Sequence, residues 1–168
     1  NRKKIKKILI SLGGVDEFNF TLRIARLLER IHNKVTLTAV VGAGYRFKRE
    51  LERFLKQSTF SSYRVQQNIQ SMLREYMKAD FVITSGGLSL FEVVALRLPA
   101  AAITLYPHQI KRAQFFEQKG YIVHLGFRKV KREKLARALC GSSVRFHRGR
   151  FLIDTLPEMV YERYRCKR

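Results

Sequence analysis

Phe81-Val82-Ile83-Thr84-Ser85-Gly86-Gly87-Leu88-Ser89-Leu90-Phe91-Glu92 reads as a strand, a double-glycine turn and the opening of a helix. The apolar, β-branched start suits a covered strand. Leu90, Phe91, Val94 and Ala95 then recur at helical spacing as far as Leu98-Pro99, where the residue before proline is pushed out of the helical region. Two adjacent glycines let a backbone come close to an anion, and a helix leaving such a turn aims N–H groups and the positive end of its dipole at that anion. Ser85 and Ser89 flank the turn, and Glu92, one turn inside, is placed to accept from a sugar hydroxyl. A carboxylate near a helix start is also explained by the dipole alone, at about 0.3–1 kcal/mol. The doubled glycine is not.

Outward from this segment the same unit repeats. Ile8-Leu9-Ile10-Ser11-Leu12 is a buried-strand run ending in Gly13-Gly14, and Leu22, Ile24, Ala25, Leu27, Leu28 and Ile31 follow at helical period. Val35-Thr36-Leu37-Thr38-Ala39-Val40-Val41 gives way, through Gly42-Ala43-Gly44, to a helix carrying Phe47, Leu51, Phe54 and Leu55. A weaker strand is expected at 63–67 with its helix at 69–77, a fifth strand at 101–105 with a helix at 109–119, and a sixth at 121–125. Residues 131–139 and 156–164 read as closing helices. Strands without clean period-two patterning, alternating with helices, indicate a parallel sheet covered on both faces. The expected class is α/β: a doubly wound, mainly parallel six-stranded sheet in one domain spanning 1–168. Ligands of such sheets bind outside the carboxyl ends of the strands, where the three glycine signals fall.

The chain has 168 residues and 46% hydrophobic content, enough for one real core. Its formal charge of +21, from 34 Lys and Arg against 13 Asp and Glu, is extreme. The basic runs read first as solvated faces, then as a seat for an anionic membrane surface; nucleic acid comes behind, because aromatic residues are not interleaved as a stacking platform needs. Cys140 and Cys166 are isolated, which points to neither a disulfide framework nor a zinc site and makes a reducing cytoplasm the expected compartment. No apolar run approaches the ~20 residues of a membrane span. The start at Asn1 rather than Met leads us to expect a preceding portion. The turn after the fourth strand lacks the GxSxG of an acyl-transfer nucleophile. His32 and His147 read as surface residues, and His124 as part of a strand.

With these residues in order, the chain resembles the C-terminal domains of GT-B-fold enzymes that use UDP-sugars, a Rossmann-like half. It is most similar to the UDP-sugar hydrolase of the pseudaminic acid pathway with the spore-coat polysaccharide proteins, and to the peptidoglycan N-acetylglucosaminyltransferase. Ile10-Ser11-Leu12-Gly13-Gly14-Val15-Asp16 with Asn19 and Thr21, then Asn68-Ile69, Met72, Ala79-Asp80, the Ser85 to Glu92 segment, Leu98-Pro99 and His108-Gln109 carry the likeness. It implies that the backbone at Asn68-Ile69 reads the uracil edge. Gly13-Gly14 and Gly86-Gly87 with Leu88 would cradle the diphosphate, Ser89 would bond phosphate or backbone, and Glu92 would accept from ribose hydroxyls. Gln109, with His108, would contact the hexose or else cap a helix. The implied partners are a UDP-sugar and a missing N-terminal domain or partner chain that holds the catalytic base, so no catalytic residue is assigned here. No cofactor or metal is implied. Arg112, where relatives often carry Asn, and the bulky Phe91 depart from the pattern. The opening glycine segment puts the hydrolase-like reading slightly ahead of glycosyl transfer to a lipid-linked acceptor, on a UDP-activated amino sugar in surface glycan synthesis, in the cytoplasm or at the inner membrane face. The alternative of another class is a non-enzymatic basic module that binds nucleic acid or a membrane.

Overall fold

Ile8 and Ile10 point to one side of their strand and Leu9 to the other, and all three are buried, so this strand must be covered on both faces. The computed structural model, which describes residues 4–140, shows how. Strand β1 (Lys7–Ser11) leads to helix α1 (Phe20–Ile31), β2 (Thr36–Val41), α2 (Lys48–Gln57), β3 (Ser62–Gln67), α3 (Met72–Lys78), β4 (Phe81–Ser85), α4 (Leu88–Ala95), β5 (Ala100–Thr104), a 3₁₀ turn at Pro107–Gln109, α5 (Ile110–Gln118), β6 (Val123–Phe127) and α6 (Arg132–Leu139). The six strands are parallel in the order β3-β2-β1-β4-β5-β6. The expected class is borne out.

Two apolar clusters fill the two faces. Ile8, Ile10, Leu37, Ile83 and Ile103 meet Leu22, Ile24 and Leu28 of α1, Leu51 and Leu55 of α2 and Leu135 of α6. Leu9, Val82, Ala100 and Ala102 meet Tyr76 of α3, Leu90, Val93 and Val94 of α4 and Ala113 and Phe116 of α5. Each fully buried Leu or Ile contributes about 1.5–3 kcal/mol, which is what makes both layers obligatory. Asp80 of the Ala79-Asp80 pair staples the far end of the sheet, its Oδ2 accepting from the Lys6 and Lys7 N–H groups at 3.1 and 3.0 Å.

Most boundaries fall within a residue of the sequence reading; the larger differences are the start of α3, the end of α4 at Ala95 and the two ends of β6. Helix α3 starts at Met72 rather than near residue 69, because Asn68 is left-handed (φ 54°) and Ser71 is extended. Strand β6 starts at Val123 rather than 121: Gly120 (φ 74°) closes α5, and the Tyr121 N–H still donates to Phe116 O at 3.0 Å. The helix expected at 156–164, His147 and Cys166 lie outside the described residues. No helix among the described residues is long and apolar enough to cross a membrane.

Candidate nucleotide-sugar site

The chain leaves β3 on one side of the sheet and re-enters at β4 beside β1, so β1 and β4 form the switch point, with Ser11 opposite Thr84. Their two glycine turns therefore stand side by side. Gly13 has φ 100°, a conformation L side chains avoid. Gly14 is held from the third turn: the Gly44 N–H donates to Gly14 O at 3.1 Å, and a Cβ on Gly42 would collide with the Gly14 main chain. The Gly42-Ala43-Gly44 signal is thus a packing requirement of the rim.

The two helices that leave the switch point differ at their starts. On α1 the buried Asp16 carboxylate accepts from the Phe20 N–H at 2.9 Å and the Thr21 N–H at 2.7 Å. Burial pushes its pKa up against the lowering effect of those bonds. Asn19 accepts from the Tyr45 hydroxyl at 2.7 Å, and the Tyr45 pKa is raised by burial, with the Asp16 and Glu50 charges adding. Here the α1 dipole is already answered by the protein's own carboxylate. On α4 the N-cap is Gly87, with no side-chain cap among the described residues. The Gly86 N–H goes to Ile103 O at 3.0 Å, while first-turn amides of any helix lack acceptors within it.

The α4 turn is tightly braced. A Cβ on Gly86 would come within 2.8 Å of Gln109 Cβ and 3.0 Å of Thr104 Cγ2. Gln109 is buried, and its Oε1 accepts from the Leu105 N–H at 2.8 Å and the Tyr106 N–H at 3.4 Å, so it locks the loop after β5 against the turn. Arg112 donates from Nη1 to Gly86 O at 3.1 Å, with its guanidinium 4.8 Å over the Phe91 ring. Glu92 is half-buried and accepts at Oε2 from the hydroxyl of fully buried Tyr76 at 3.1 Å, which ties α4 to α3. Ser85 is buried, Ser89 half-buried and Leu88 exposed. Asn68 is exposed at the end of β3, and Ile69 packs on the second cluster.

Across the rim, His108 is exposed and stacks on Tyr106, centroids 5.9 Å apart, while the Tyr106 hydroxyl donates to Glu17 at 2.9 Å. Arg128 lies 4.3 Å over Phe18 and donates from Nε to Leu105 O at 2.9 Å. Val15, Leu88, Tyr106 and Phe127, each at a strand exit, are exposed. Sequence reasoning missed Tyr76, whose helical apolar position reads as core, and the Arg128 and Phe18 stack, which nothing local signals. Asp16, four residues before Phe20, carried a readable helix-start signal. Among the described residues no group of three or more His, Cys, Asp or Glu gathers as a metal site.

A Gly-started helix at the switch point of a six-stranded 3-2-1-4-5-6 sheet defines a Rossmann-like domain. The chain belongs to the glycosyltransferase family 28 C-terminal domain family, whose model matches residues 9–141. It is 30% identical over 111 residues to an uncharacterized protein of Methanocaldococcus jannaschii, covering 66% of this chain and 22% of that protein. It is 22% identical over 127 residues to the spore coat polysaccharide biosynthesis protein SpsG of Bacillus subtilis, covering 74% of this chain and 37% of that one. The crystal structure of Acinetobacter baumannii MurG shares the fold, with a TM-score of 0.65 at 19% identity over 90% of this chain and 50% of the other. The chain thus spans well under half the length of the curated relatives.

Proposed function

We propose that this chain is the UDP-sugar-binding half of a GT-B enzyme that transfers or hydrolyses a UDP-activated amino sugar in surface glycan synthesis. The observation that carries the reading is the uncapped Gly86-Gly87 start of α4 at the β1/β4 switch point, with Glu92 fixed one turn inside by Tyr76. Main-chain amides at Gly87, Leu88 and Ser89 would face the diphosphate, with Ser85 behind them and Gly13-Gly14 as the opposite wall. Glu92 would hold the ribose diol, the turn at Asn68-Ile69 the uracil edge, and Gln109 Nε2 and His108 the hexose. Charge developing on the UDP leaving group would be met by amides already in place. Family membership and the likeness to a spore-coat polysaccharide biosynthesis protein support this substrate class.

The single-domain assignment for 1–168 and a partner half carrying the catalytic base belong to the same proposal, with the exposed Val15, Leu88, Tyr106 and Phe127 as the apolar wall facing that half. The charge of +21 supports peripheral seating on an anionic inner-membrane face in the cytoplasm. Calorimetry tests the core reading. UDP binds more tightly than ADP, and Glu92→Ala lowers UDP affinity about ten- to a hundredfold, the worth of hydrogen bonds to a charged group, with the fold retained. Equal binding of UDP and ADP contradicts it, and salt-steep binding indifferent to the base assigns the site to non-specific anions.

A further inference from the structure

Arg112 is half-buried on the first turn of α5, and its guanidinium meets two things: the Gly86 carbonyl and the face of Phe91. The Gly86–Gly87 peptide is trans, so its carbonyl and its N–H point in opposite directions. Whatever holds the Gly86 oxygen toward α5 therefore turns the Gly87 N–H the other way. A peptide between two glycines has little of its own to fix this. Flipping it takes the Gly87 φ from −81° to about +100°, a region closed to other residues and open to glycine. A cation on the carbonyl selects one of the two orientations and, by polarising the amide, strengthens the N–H as a donor.

We propose that Arg112 is a positioning residue for phosphate recognition: it holds the Gly86–Gly87 peptide with the Gly87 N–H turned to the diphosphate. The inference rests on the UDP-sugar reading above. Phe91 completes the device, because the ring, itself set against Phe116 at 5.6 Å, gives the guanidinium a fixed shelf. The bulky Phe91 and the unusual Arg112 are then one feature.

The test uses uridine, UMP and UDP with the wild-type chain, Arg112→Met and Arg112→Lys. Met keeps packing on Phe91 without the charge. Arg112→Met is expected to lose about tenfold in affinity for UMP and UDP alike, the scale of one charge-assisted hydrogen bond, and nothing for uridine. Arg112→Lys, whose ammonium reaches the same carbonyl, recovers most of the loss. In amide NMR spectra of Arg112→Met the UDP-induced shift at Gly87 disappears while those at Leu88 and Ser89 persist. Unchanged nucleotide affinity overturns the proposal. So does a loss confined to UDP or to UDP-sugars, which makes Arg112 a direct contact to the β-phosphate or the sugar, and so does a parallel fall in uridine binding and melting temperature. Failure of the wild-type chain to prefer UDP over ADP instead removes the underlying reading.

Discussion

Tyr76 and Glu92 stand on different helices, and the 3.1 Å bond between them helps set where the Glu92 carboxylate points. A glutamate has three side-chain torsions, so an unfixed one loses rotamer freedom whenever it grips a ligand; a hydroxyl from a fully buried tyrosine removes most of that loss beforehand. Tyr76→Phe deletes the donor and leaves the ring. A net contribution of about 0.5–1.5 kcal/mol translates into roughly a two- to tenfold weaker UDP affinity, with unchanged folding. Calorimetry that finds the affinity unmoved assigns the bond to packing alone. Glu92 was legible in the sequence because paired glycines mark the turn immediately before its helix begins. Tyr76 was not, because an aromatic at helical period carries the same signal whether or not its hydroxyl has a task.

Helices α1 and α4 begin at neighbouring turns and face the same crevice, yet one dipole is answered by Asp16 and the other meets no side-chain cap among the described residues. Asp16→Ala leaves the Phe20 and Thr21 amides without their acceptor and costs about 0.5–2 kcal/mol in urea denaturation. Nucleotide affinity is expected to stay near wild type; a collapse of UDP binding with intact folding moves the anion seat to α1. Gly42→Ala drives a methyl into the Gly14 main chain, costing about 1–3 kcal/mol and displacing the first glycine turn; a fully stable Gly42→Ala protein contradicts the packing role. At this scale the sequence told nearly every element, since each strand's apolar run and each helix's period are local facts. The start of α3 and the start of β6 escaped it because Asn68 and the exit of α5 take backbone conformations that periodicity does not encode.

Strand order was the part of the architecture that patterning could not express: the hydrophobic face of β4 would suit several neighbours, and only the return of the chain beside β1 brings the two turns together. The β5/β6 edge of the same sheet offers a check on the whole molecule. His124 on β6 is buried, its Nε2 3.0 Å from Thr104 Oγ1, and burial lowers its pKa from 6.5, with Lys134 and Lys131 adding and Glu117 opposing. The unfolded chain then binds this proton more readily than the folded one, so this contribution to stability is complete above about pH 6.5 and shrinks as pH falls toward the lowered folded value. Melting temperature should decline over that interval and decline less in His124→Gln; an identical slope in both rules His124 out. The central claim is that the open amides of α4 receive a pyrophosphate, and an amide NMR titration with UDP reads them one by one. The account predicts the largest shifts at Gly87, Leu88 and Ser89, with smaller ones at Gly13 and Gly14. Shifts confined to the basic surface of α1, with Gly87 to Ser89 unmoved, would contradict it.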